Sequence, residues 1–116
     1  MATMQKYLVF LRSTPHATSQ ARPSPAQMQE MHAAFQAWTA KYGANIVDLG
    51  GQLRAGGKIV TPAGVMDGPY AEAKEVVGGF MVLAAESLDR AADIARACPG
   101  VVRPGASVEI REILTP

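Results

Sequence analysis

Ten consecutive residues, Val76 to Ala85 (VVGGFMVLAA), carry no polar side chain. A strand that is apolar at every position needs cover on both faces, which predicts a central strand and excludes a solvated edge. The flanking residues fix the local topology. Before the run, Asp67-Gly68-Pro69 is a turn signal, in which the Asp carboxylate accepts backbone N–H groups and Gly68 supplies a positive φ. After it, Ser87 caps a helix with Asp89 in its first turn. Leu88, Ala91, Ile94, Ala95 and Cys98 recur as a buried helical stripe that Pro99-Gly100 ends. The stretch from Val65 to Pro99 therefore encodes half of a two-layer fold.

The rest of the chain supplies the other half. Met4 to Arg12 (MQKYLVFLR) puts Tyr7, Val9 and Leu11 on one strand face and Leu8 and Phe10 on the other, so it too reads as interior to a sheet. Ser13 to Ser24 has no apolar period and reads as a loop. Ser24-Pro25-Ala26-Gln27 opens a helix with a Ser N-cap, Pro at the first helical position and the Gln of a capping box. Met28, Met31, His32, Phe35, Trp38 and Tyr42 follow as one stripe, and Gly43 sits where a left-handed terminating residue belongs. Ala44 to Arg54 and Lys58 to Met66 read as two weaker strands joined at Ala55-Gly56-Gly57. Gly50-Gly51 suggests a bulge and Pro62 an edge. Ser107 to Leu114 (SVEIREIL) is the last strand.

The order β, α, β, β, β, α, β predicts one α+β domain with two helices on one face of one sheet. The strands are nevertheless apolar on both faces. A second copy of the same sheet, brought by a two-fold axis, is the simplest cover, so the expected state is a homodimer with facing sheets.

Composition removes other classes. Eleven Lys and Arg stand against ten Asp and Glu, for a net charge of +1, and no basic stripe interleaved with aromatics appears, so there is no electrostatic footprint for nucleic acid. The apolar run Tyr7 to Leu11 is too short for a signal peptide, and Val76 to Ala85 is about half the length a bilayer-crossing helix needs. The expectation is a cytoplasmic protein without membrane attachment. One cysteine, Cys98, excludes an internal disulfide and offers no metal-ligand spacing.

Met66 to Glu75 (MDGPYAEAKE), with Gly78-Gly79-Phe80 and a helix ending Ala97-Cys98-Pro99, resembles the DGPF proteins of the wider YCII-related superfamily. The family motif ends in Phe where this chain has Tyr70. The likeness covers Asp67 to Pro99 strongly, the flanking strands and first helix generally, and the Ser13 to Ser24 loop not at all. It implies a single YCII-related/DGPF domain over residues 1–116, with a ferredoxin-like fold that dimerises through its sheets like a dimeric α/β barrel. It also implies an active-site pair between a first-helix histidine, whose position His32 matches, and an acidic residue nearby. Some relatives resemble dehalogenating lyases acting on lactones, and others are associated with alternative sigma factors. A small cofactor-free enzyme and a ligand-binding or regulatory accessory module both remain open.

His32 can act as a general base near neutral pH if a carboxylate fixes its tautomer. A histidine between Met28 and Phe35 equally fits a satisfied core or interface position. Asp67 is the candidate partner, with the turn itself as its competing role. Tyr70 and Lys74, beside Glu72 and Glu75, would line a pocket mouth for an anionic ligand or simply face solvent. Arg12 can grip a carboxylate bidentately or close a sheet edge. Trp38 and its stripe read as core. Gly56-Gly57-Lys58 lacks the spacing and the hydroxyl residue of a phosphate loop, and His16 has no partner in the sequence. Cys98, with no cation closer than Arg96, reads as structural. With no metal cluster or nucleotide fingerprint, the expectation is no cofactor, a small-molecule ligand, and a second copy as partner.

Overall fold

The all-apolar run forms one strand, β5 (Val76–Ala85), hydrogen-bonded on both sides in the computed structural model, which describes residues 3–14, 24–68 and 76–114. Its neighbours are β1 (Gln5–Ser13) and β2 (Ile46–Gln52), both antiparallel to it, and β6 (Ala106–Glu112) pairs with the far side of β1. The four-stranded order is β2-β5-β1-β6. Two helices, α1 (Pro25–Lys41) and α2 (Leu88–Arg96), complete an α+β arrangement compatible with a ferredoxin-like fold. A separate two-stranded ribbon, β3 (Gly57–Thr61) and β4 (Gly64–Gly68), is inserted between β2 and β5.

Both helices begin as their sequences dictate. The Ser24 hydroxyl accepts from the Gln27 backbone N–H at 3.2 Å while the Gln27 side chain accepts from the Ser24 N–H at 2.8 Å, a reciprocal capping box worth about 1 kcal/mol. Ser87 accepts from Arg90 N–H at 3.1 Å to start α2. Beyond α2, Gly100 takes a positive φ of 79°.

One face of the sheet makes the core. Tyr7 and Val9 of β1 and Met81, Leu83 and Ala85 of β5 bury against Trp38, Tyr42, Ala91, Ile94, Ala95, Cys98 and Val101. On the other face Leu8, Phe10, Phe80 and Val82 are only half-buried, with no described element over them. The alternation follows from strand geometry, since every second side chain points away from the helices.

Five local expectations are corrected. The stripe of α1 is not all core: Trp38 is the helix's one buried residue, while Met28, Met31 and Phe35 are exposed, because the helix is held to the body through its C-terminal turns. Leu88 likewise leaves the α2 stripe and is 52% exposed, at the first position of the helix. Gly43 does not take a left-handed φ but opens a 3-10 turn, Gly43–Asn45, in which Asn45 N–H bonds back to Tyr42. The segment from Lys58 to Met66 is two strands rather than one. Pro62, which has no N–H to donate, turns the chain with Ala63, whose N–H reaches the Thr61 hydroxyl at 3.2 Å. Finally, Asp67 and Gly68 belong to β4 instead of a turn. Gly68 pairs with Gly57 without a positive φ, and a Cβ there would come within 2.9 Å of Ile59 Cγ1, so close cross-strand packing is what requires glycine.

The bulge expected at Gly50-Gly51 is present. The β2–β5 register shifts between Asp48 and Gly51, Gly50 takes φ 66°, and the Asp48 carboxylate accepts its N–H at 2.7 Å. The loop 15–23 and the excursion 69–75 lie outside the described residues.

Candidate functional site

His32 lies in the second turn of α1 and is exposed, as are Met28, Met31 and Phe35 around it. It is therefore not part of the core cluster. Among the described residues no carboxylate comes within ion-pairing distance of its ring, the two ion pairs there being Arg12–Glu109 and Lys58–Asp67.

Asp67 stands on the ribbon, where its carboxylate accepts from Lys58 Nζ at 2.5 Å across the β3–β4 ladder. Both side chains are well exposed, and such a pair contributes about 0.2–1 kcal/mol. Arg12 follows the β1 bulge, its Nε 2.7 Å from Glu109 Oε1 and its guanidinium 5.9 Å from the Phe10 ring centroid. Glu109 sits opposite Phe10 in the β1–β6 ladder, so Arg12, Phe10 and Glu109 share the open face of the sheet. The carboxylate that Arg12 meets thus belongs to its own sheet and is held through the single Nε contact. Sequence reading missed Glu109 because pairing it with Arg12 needs the ladder register, which no local signal gives. Tyr70 and Lys74 fall in the excursion outside the described residues, so the structure brings no two of the candidate residues His32, Asp67 and Arg12 into contact.

A second feature had no advance signal. Where the end of α1 meets the end of α2, Ala34, Ala37, Trp38, Lys41, Tyr42, Ala97 and Pro99 line an open groove of about 340 Å³. It holds no acid and no histidine, so it offers no acid–base pair. Tyr42 at its end is flanked by Lys41 Nζ and the Arg90 guanidinium, 5.3 and 5.7 Å from the ring centroid. Cys98 is buried, and that burial pushes its thiol up to about 11, far from nucleophilic thiolate character at neutral pH. Among the described residues no group of three His, Cys, Asp or Glu could hold a metal, and no described helix is long and apolar enough to cross a membrane.

No curated protein matches the chain. A family model for the YCII-related domain matches residues 6–115, which takes in every strand but the first residue of β1 and both helices. By that match the chain belongs to the YCII-related domain family.

Proposed function

We propose that the protein is a homodimer formed through the open face of its sheet, and a small cofactor-free enzyme in which His32 moves a proton on a small organic acid or lactone. The observation that carries the reading is the exposure of His32. A histidine kept for packing would be sealed by Met28, Phe35 and Trp38, whereas a general base must meet its substrate. An imidazole can take up a proton near neutral pH without a cofactor, provided a second group orients its ring. Asp67 is the acid assigned to that task, with Arg12, Tyr70 and Lys74 as contacts for a ligand carboxylate. The half-buried Leu8, Phe10, Phe80 and Val82 support the sheet-to-sheet pairing, because a two-layer fold leaves such a face wet unless a second copy covers it.

A second reading, a ligand-binding or regulatory accessory module without turnover, is favoured by the engagement of Asp67 with Lys58. Assay against a panel of small lactones and organic acids, chlorinated and unchlorinated, separates the two. The enzymatic reading expects turnover that His32→Ala abolishes and His32→Gln does not restore. Binding of a panel member without turnover in the wild type establishes the second reading and overturns the first.

A further inference from the structure

The ribbon β3–β4 carries apolar side chains on both of its faces. Residues paired across the ladder share a face, so Val60 and Val65 mark one side and Ile59 and Met66 the other. Val60 is 74% exposed and Val65 65%, so the ribbon does not lie on the rest of the described residues. A free two-stranded hairpin is at best marginally stable in water, and one with two apolar faces needs a layer on each. Its one charged pair, Lys58–Asp67, neutralises itself, so the cover need bring no charge.

We infer that each ribbon packs against the second copy of this chain as an exchanged arm, an inference that rests on the homodimer reading. The chain carries both halves of the match: an uncovered neutral ribbon, and an uncovered neutral strip of Leu8, Phe10, Phe80 and Val82 on β1 and β5. The two-fold operation that brings the two sheets together also carries each ribbon over the margin of the partner's strip. The shape agrees, since the radius of gyration of 16.1 Å exceeds the about 13 Å of a compact chain this long. Area supports it further. At about 3.3 Å per residue and 4.8 Å between strands, the sheet's footprint is roughly 500 Å², short of the about 800 Å² per partner of a stable interface. One ribbon adds roughly 160 Å² on each of its two faces on the same spacings, so covering both faces of a protomer's own arm brings its total to the required size. The arm carries Asp67 across with it, so a site using Asp67 is built from two chains.

The test places a photo-activated benzophenone amino acid at position 60, and separately at position 65, and irradiates the full chain at a concentration where sedimentation reports the assembly state. The expected product is a covalent species of twice the 12.2 kDa chain mass on a denaturing gel from both positions. Adducts confined to a single chain, or no adduct, in a sample that sediments as a dimer would overturn the arm exchange and leave the sheet-to-sheet dimer standing. A sample that sediments as a monomer overturns both.

Discussion

The indole Nε1–H of Trp38 donates to the backbone carbonyl of Ile94 at 2.9 Å, with both residues buried. Ile94 lies in the last turn of α2, where the Ala97 N–H turns to the Asp93 and Ala95 carbonyls and the Cys98 N–H to that of Ala95. The bond therefore does two things: it satisfies a helix end and it fixes α1 on α2. Phe35 stacks on the same indole and Tyr42 tilts against it, their ring centroids 5.8 and 6.2 Å away.

Trp38→Phe keeps most of the apolar volume but strands the Ile94 carbonyl. An unsatisfied buried acceptor costs about 1–3 kcal/mol, and thermal or denaturant unfolding should show a loss in that range. Trp38→Ala should lose about 3–5 kcal/mol. A neutral Trp38→Phe would mean that the bond contributes nothing and that α1 is held by ring packing alone.

Gly50 and Gly51 are adjacent but should respond in opposite ways. At Gly50 a Cβ would lie 1.8 Å from the Phe80 carbonyl oxygen, at φ 66°, whereas at Gly51 nothing lies within 4 Å. The backbone strain alone costs about 1–2 kcal/mol, and the clash adds to it. Gly50→Ala should thus cost well over 2 kcal/mol, roughly the scale of a severe point mutation, while Gly51→Ala stays nearly neutral in the same denaturant titration.

Cys98 makes stability fall at high pH. Its thiol is raised by burial from an ordinary 9.0 to about 11, so the unfolded chain releases its proton first. The stabilising difference is complete below pH 9 and is lost as pH rises toward 11. Tyr7, raised by burial and by Glu112, adds in the same direction. Cys98→Ala should flatten the part of the decline that begins near pH 9, and thiol-reactive reagents should label Cys98 slowly until the protein unfolds.

The parts of the fold with local signals were legible in the sequence. β5 was bounded to the residue by its unbroken apolar run, and both helix starts by Ser24 and Ser87. The ribbon was half legible. Pro62 signalled an interruption, but the reversal there depends on a Thr61 hydroxyl contact that spacing does not reveal. The exposure of Met28, Met31 and Phe35 was illegible for a different reason. Periodicity reports which face of a helix is apolar, and only tertiary placement decides which turns of that face meet the body. Among the site residues, Arg12's engagement with Glu109 depends on strand register, and Asp67's with Lys58 on a hairpin that read as one strand.

His32→Ala should leave stability within about 0.5 kcal/mol of wild type, as expected of an exposed position away from the core. A loss of several kcal/mol in urea titration would return His32 to a packing role and remove the ground for reading it as a base.

Sedimentation velocity of the wild-type chain at ten-fold steps through the micromolar range tests most directly whether the open sheet face is an interface. The prediction is one species at twice the 12.2 kDa chain mass across the range, reduced to single chains when Leu8→Glu puts a charge on the open face. A wild-type protein that stays at 12.2 kDa throughout would contradict it, and with it the site built between two chains.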